Sequence, residues 1–454
     1  MFDNVLIISY FIFILVVGFW KKSKSDSFEY ILMGRRLTLP IFVMTLVSSW
    51  YGGIFGVSEY TYSYGVSNWI IFGLPYTIFG IIFALIFAKK AHQSNVFSIP
   101  ELLGKRHKSL RSMSAIWVFI LSSPAPYIVG IGLFIQFYFG IQLHYAIIIG
   151  TVISTLYIFN GGLASVARTD VIQFILMFLG FFTIIFILST QYLSPFELFK
   201  ALPESHTQAN GGQSWTYILV WFFIASWTLI DPGFHQRIYA TPNPETAKKG
   251  ILYAVIFWLL FDILTTLTGL YAFHLLPQNS VASLSFLALG QMVLPPGLFG
   301  LFVIGLSATI MSTLDSTALI SGTTLIHDLF PTQFSHIQSQ RNQNNLGIFI
   351  TLFVGIILAI FLPSIVSLWY TLGTLTIPAL LFPVISSYYP KYQISWKLLR
   401  LNLIATPLLS FLWMSFAKVD QWHYLFNLEP FYPGIIASIF IWIYAKYSNQ
   451  MGEI

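Results

Sequence analysis

The sequence predicts an all-α integral membrane protein of about thirteen transmembrane helices, and three observations predict it. Of 454 residues, 56% are hydrophobic and only 8% are charged, with a mean hydropathy of +0.77. A soluble chain carries about 25% charged residues, so this one cannot cover a water-facing surface of ordinary size. Aromatic residues make up 18%, with 44 Phe, 24 Tyr and 13 Trp, which suits apolar helices anchored by Trp and Tyr at the headgroup level. Finally, Lys and Arg collect in alternate loops once the chain is divided into apolar spans.

Breaks at Pro, Gly and charged clusters leave spans at 3–20, 40–62, 69–88, 113–139, 143–160, 168–190, 215–236, 250–276, 297–320, 346–362, 367–389, 398–416 and 431–446. Most are close to the roughly 20 residues needed to cross a bilayer. The first is followed by Lys21 and Lys22, whereas a secretory signal carries its positive charge ahead of the apolar stretch, so this span is expected to be retained. With the amino terminus outside, the inside loops take Lys21, Lys22, Lys24, Arg35, Arg36, Lys89, Lys90, Lys105, Arg106, Lys108, Arg111 and Arg168. They continue with Arg237, Lys248, Lys249, Arg341, Lys391, Lys397, Arg400 and Lys446, which leaves only Lys200 and Lys418 outside. That bias predicts an outer amino terminus and a cytoplasmic carboxyl terminus in a multi-pass protein of the plasma (inner) membrane.

The same composition excludes several functions. The net charge of +6 follows from loop topology, so no nucleic-acid partner is expected. Cysteine is absent, which removes disulfides, thiolate catalysis and cysteine metal sites. No long polar segment interrupts the chain, so a single membrane domain over 1–454 is expected. No phosphate-cradling G-x-x-x-x-G-K run is present, and no set of nucleophile, base and orienting group can be assembled, so neither ATP use nor enzyme activity is predicted.

Function should lie where membrane rules are broken. The second span reads Ser48, Ser49, Trp50, Tyr51, Gly52, Gly53, and the seventh reads Trp227, Thr228, Leu229, Ile230, Asp231, Pro232, Gly233. Pro232 removes an amide donor and disfavours helical geometry at Asp231, and paired glycines weaken a helix and admit a close ligand, so both helices are expected to be interrupted. Spans two to six and seven to eleven form two equal sets related by an odd number of crossings, which suits an inverted repeat with its site between the breaks. Intramembrane carboxylates are costly and functional by default, and the candidates are Glu59, Asp170, Asp231, Asp262 and Asp315. Helical spacing puts Ser312, Asp315 and Ser316 on one face, with Thr313 adjacent, a set of hard oxygens suited to an alkali cation. Interhelical hydrogen bonding explains Thr313 or Ser316 alone equally well.

These residues resemble the sodium:solute symporter family. The resemblance rests on Gly161 to Gln173, read as a glycine pair followed by Thr169, Asp170 and Gln173, on Gln236 with Arg237, and on Met311, Ser312 and Thr313. It implies the inverted five-helix repeat of the leucine transporter type, with 1–37 an extra amino-terminal helix and loop, 38–190 the first repeat, 214–390 the second and 391–454 two extra helices. It also implies sodium-coupled symport of a small organic solute into the cell, with sodium as coupling ion and no cofactor. The sodium ligands carried over are Leu46, Ser49, Thr309, Ser312 and Thr313. Some members add a second sodium, which here would use Asp170, Ser312, Asp315 and Ser316. Asp315 departs from the family's usual hydroxyl, which leaves proton coupling open, as it leaves an ion-independent carrier or a membrane solute sensor. The solute is expected against Trp50, Gly52, Gly53, Tyr127, Gln136, Trp227 and Asp231, although Asp231 could equally cap a half-helix or pair with Arg237.

Overall fold

The structure is a computed structural model that describes residues 2–20, 27–334, 337, 339–418 and 424–448. Lys21, Lys22 and Lys24 of the expected inner-loop set lie outside the described residues. The described chain is helical, with one isolated bridge between Lys418 and Tyr424 and no sheet. Among the described residues, ten helices are long and apolar enough to cross a membrane. The other expected spans fall on the interrupted pair Leu39–Ser48 and Ile54–Tyr64, on the short Leu143–Thr155, and on the 17-residue Phe431–Tyr447.

In chain order the main helices are α1 (Phe2–Phe19), α2 (Leu39–Ser48), α3 (Ile54–Tyr64), α4 (Trp69–Gln93), α5 (Lys108–Leu121), α6 (Ala125–Phe139), α7 (Leu143–Thr155) and α8 (Ile158–Gln191). They continue as α9 (Trp215–Ile224), α10 (Pro232–Tyr239), α11 (Pro244–Leu275), α12 (Leu298–Leu329), α13 (Gln340–Phe361), α14 (Ile365–Ser387), α15 (Trp396–Phe416) and α16 (Phe431–Tyr447). The long helix α12 is the centre of the bundle and is almost wholly buried from Phe302 to Thr324. α8 runs along it, and Gly180 meets Gly305 there so closely that an added Cβ on Gly180 would stand 3.3 Å from the Gly305 backbone; small residues permit such contact between membrane helices. The amino-terminal helix reaches the other end of α12, where Asp3 accepts from the Gly297 and Gly300 amides at 2.7 and 2.8 Å and so caps it.

The span boundaries differ from expectation in three places. The expected fourth span, 113–139, is two helices separated at Ser122 to Pro124. The sixth begins near 158 and not at 168, bends at Gly162 with φ +54°, and so carries Asp170 well inside the helix. Arg237, assigned by charge to an inner loop, is buried to 1% exposure in α10. Charge was read as a boundary at both Asp170 and Arg237, yet the two residues pair with each other across the core.

Candidate ion and solute site

The first interruption follows from glycine. Helix α2 ends at Ser48, and the Trp50 amide donates to Val47 at 3.2 Å, one residue short of α-helical register, which frees the Leu46 carbonyl. Gly52 lies so close to Thr313 and Tyr127 that a Cβ would collide with Thr313 and stand 2.7 Å from the Tyr127 ring. At Gly53 a Cβ would overlap the Trp369 indole. Both positions require glycine because the chain must pass against side chains of α6, α12 and α14.

The second interruption follows from proline. Helix α9 tightens into a 3-10 turn at Ala225–Leu229, and Asp231 then takes an extended conformation and caps α10, accepting from the Phe234 amide at 2.9 Å. Its other oxygen accepts from Trp227 Nε1 at 3.1 Å. Asp231 therefore caps the half-helix and lines the central space as well.

Between the breaks lies a cavity of about 100 Å³. Thr313 lines its α12 wall, and Leu46, Ser49, Trp50, Gly53, Tyr127, Trp227 and Asp231 also line it. Gly52 sits immediately behind, against Thr313. Thr309 and Ser312 are fully buried beside this wall; the Thr313 hydroxyl donates to the Thr309 carbonyl at 3.1 Å, and Ser312 Oγ donates to Asp170 Oδ1 at 2.6 Å and stands 3.0 Å from Ser48 Oγ. A second cavity of about 270 Å³ abuts the first, with Pro232 and Ile320 common to both.

Two expected placements are corrected. Gln136 does not line the cavity; it lies nine residues beyond Tyr127 on α6, a rise of about 13 Å. The set expected for a second sodium does not assemble either. Arg237 Nη2 stands 2.9 Å from Ser316 Oγ and 3.6 Å from Asp170 Oδ2, so the chain's own guanidinium takes the cation's place. Asp315 turns away from that face and accepts from the Tyr157 hydroxyl. Asp315 and Ser316 thus bond to different partners, Tyr157 and Arg237.

Several residues that build the site were not singled out from sequence. Thr45 donates to Asp170 and accepts from Arg237 Nη2 at 3.0 Å, bridging the buried pair. Its signal was available: Thr45, Ser48 and Ser49 recur at helical spacing in an otherwise apolar run. Asp262 was counted among the carboxylates without a role; its Oδ1 lies 2.9 Å from the Tyr51 hydroxyl, and it lines the cavity with Tyr76, Phe72 and Trp369. Those aromatics gave no sequence signal among so many others.

The comparisons agree with this architecture. The sodium:solute symporter family matches residues 30–372. A sodium/proline symporter of Staphylococcus aureus is 22% identical over 99% of this chain and 93% of its own length. High-affinity choline transporter 1 of Drosophila melanogaster is 25% identical over 84% of this chain, and the match spans 65% of the fly protein. A substrate-bound, outward-open Na+-coupled sialic acid symporter superposes with a TM-score of 0.79, covering 99% of this chain and 97% of the other at 15% identity. MhsT in complex with L-phenylalanine gives 0.56, covering 94% and 100% at 14% identity. At such identities the two structures show a shared fold of the leucine transporter type. The chain belongs to the sodium:solute symporter family.

Proposed function

We propose that the protein is a secondary active transporter that couples sodium entry to uptake of a small organic solute by alternating access. The observation that carries this reading is the meeting of two interrupted helices and the α12 hydroxyl wall at one cavity. Sodium would bind among the carbonyls of Leu46, Ser49 and Thr309 and the hydroxyls of Ser312 and Thr313, bridging the first break to α12. Filling that position ties two moving parts together and favours the solute-ready form. Solute would then lie among Trp50, Tyr127, Trp227 and Asp231. Release would follow when the bundle rocks, with the second cavity past Pro232 and Ile320 as the proposed route towards the cytoplasm. One charge moving across 100 mV supplies about 2.3 kcal/mol before any concentration gradient. The lysine and arginine bias supports an outer amino terminus and a cytoplasmic carboxyl terminus, and the matched interruptions support repeats at 38–190 and 214–390.

A proton-coupled reading is favoured by one feature, the fully buried Asp315, whose Oδ1 has no hydrogen-bond partner. A carboxyl in such a place is satisfied by a proton or a cation of its own. The test is thermal stability of the purified protein in sodium and in potassium, with a Ser312→Ala, Thr313→Ala variant alongside, followed by uptake into vesicles across a sodium or a proton gradient. Sodium-specific stabilisation that the variant loses is the expected result. Stabilisation equal in both salts, with uptake that follows only the proton gradient, overturns sodium coupling.

A further inference from the structure

The relatives do not agree on the charge of the solute, since choline is a cation, proline a zwitterion and sialic acid an acid. The cavity of this chain carries its own answer. Among the described residues, Arg237 is the only Lys or Arg lining it, and that guanidinium is already 3.6 Å from Asp170. Asp231 and Asp262 line the same cavity. Counted together, Asp170, Asp231 and Asp262 face a single positive side chain. Uncompensated carboxylates away from water are costly and persist where something neutralises them. One sodium at the proposed ion position cancels one charge, and a singly charged organic cation cancels the other. A zwitterion leaves the cavity negative, and an anion makes it more so.

The walls specify the kind of cation. Trp50 is held edge-on by Tyr76 and Phe234, with ring centroids 5.3 and 5.2 Å away, and Trp227 and Trp369 complete an aromatic lining. Both carboxylates already have donors within the protein: Asp231 is bonded by Phe234 and Trp227, and Asp262 by Tyr51. Asp231, with a donor on each oxygen, offers charge more than open hydrogen-bonding positions, and Asp262 Oδ2 is pressed against the Gly73 backbone. A head group with positive charge and no N–H to satisfy fits such surroundings, because aromatic faces attract a cation without needing a hydrogen bond. Asp262 is fixed for this task. It is 8% exposed, and Gly73, in a π-helical stretch of α4, lets that backbone pack against it, where a Cβ would stand 2.8 Å from Oδ2. Wide turns of this type recur at functional sites.

We infer that the cavity selects a methylated ammonium monocation, with Asp262 and Asp231 supplying the charge and the Trp50, Tyr76, Trp227 and Trp369 lining supplying the faces. The inference rests on the transporter reading above and names its solute class. The test measures thermal unfolding of the full purified chain in sodium with three probes of similar shape: choline, its neutral carbon isostere 3,3-dimethylbutan-1-ol, and the zwitterion glycine betaine. Choline is expected to raise the melting temperature at concentrations where the other two have no effect. Asp262→Asn, which keeps the acceptor for Tyr51, is expected to weaken choline by about tenfold or more, while sodium alone still stabilises the variant and so reports a folded protein. A response to the isostere or to betaine equal to that of choline overturns the inference, as does no response to choline while sodium stabilisation is intact. If choline binds and sodium has no effect, the solute class stands and sodium coupling falls. If neither acts, both fall.

Discussion

The two helix interruptions occupy matching places in the two halves of the chain but are built from opposite chemistry. The first, between Ser48 and Ile54, is neutral: two glycines pressed against Thr313 and Trp369, with a freed carbonyl at Leu46. The second, between Ile224 and Pro232, is anionic, with Asp231 capping the half-helix that follows and reaching the cavity. A break made of carbonyls suits a small, hard cation that is bound and released. A break carrying a full charge suits recognition of a larger partner. The asymmetry supports the proposed placement of the ion at the first interruption and of the solute's charged contact at the second, although the repeat makes the halves look alike.

That division can be broken by substitution. The largest effect is expected outside both breaks, at the pair that holds them together. Arg237→Ala leaves Asp170 buried without its cation and should cost about 3–5 kcal/mol, seen as loss of most folded protein after extraction or a much lower melting temperature. An unchanged melting temperature would mean that Asp170 is neutral and that the pair is not what joins α10 to α8. Next comes the ion. At sodium one hundredfold above its dissociation constant the native protein should gain about 2.7 kcal/mol, and the Ser312→Ala, Thr313→Ala variant should lose that gain in the same salt titration. Loss of the sodium response in an Asp231→Asn protein, with the Ser312 and Thr313 variant unaffected, would reverse the assignment of ion and solute.

Smaller effects sharpen the comparison. Gly53→Ala forces a methyl into the Trp369 indole and should cost about 1–3 kcal/mol, with uptake falling more than stability because the indole lines the cavity. The same change at Gly140, with open space around it, is the control for a glycine that merely takes a positive φ. The smallest change is Asp231→Ala, which removes a helix cap and should cost about 1 kcal/mol in melting experiments. Asp231→Asn retains the cap, so weakened solute binding in that variant at unchanged stability separates the carboxylate's charge from its capping role.

Much of the frame was legible in the sequence because lipid imposes length and hydrophobicity locally. Apolar runs located most of the long helices, and Gly52, Gly53 and Pro232 marked the interruptions, since glycine and proline act on the backbone where they stand. Charge does not act locally in the same way. Asp170 and Arg237 looked like the ends of spans because a charge in lipid is costly; paired across the core through Thr45 they are interior residues. Asp315 and Ser316 looked like one ligand set because they share a helix, and the structure sends them to Tyr157 and Arg237 on different sides.

The sequence by itself determined the class of the molecule, its helical content, the positions of both breaks and its family, all of which depend on composition and on motifs a few residues long. Only the tertiary structure decided which charges neutralise one another. Pairing across 67 or more residues is set by how α2, α8, α10 and α12 pack, and no local pattern carries it. Arg237 reaches Asp170 from the same cavity that Asp231 and Asp262 line, so the proposed positive charge of the solute rests on tertiary packing alone.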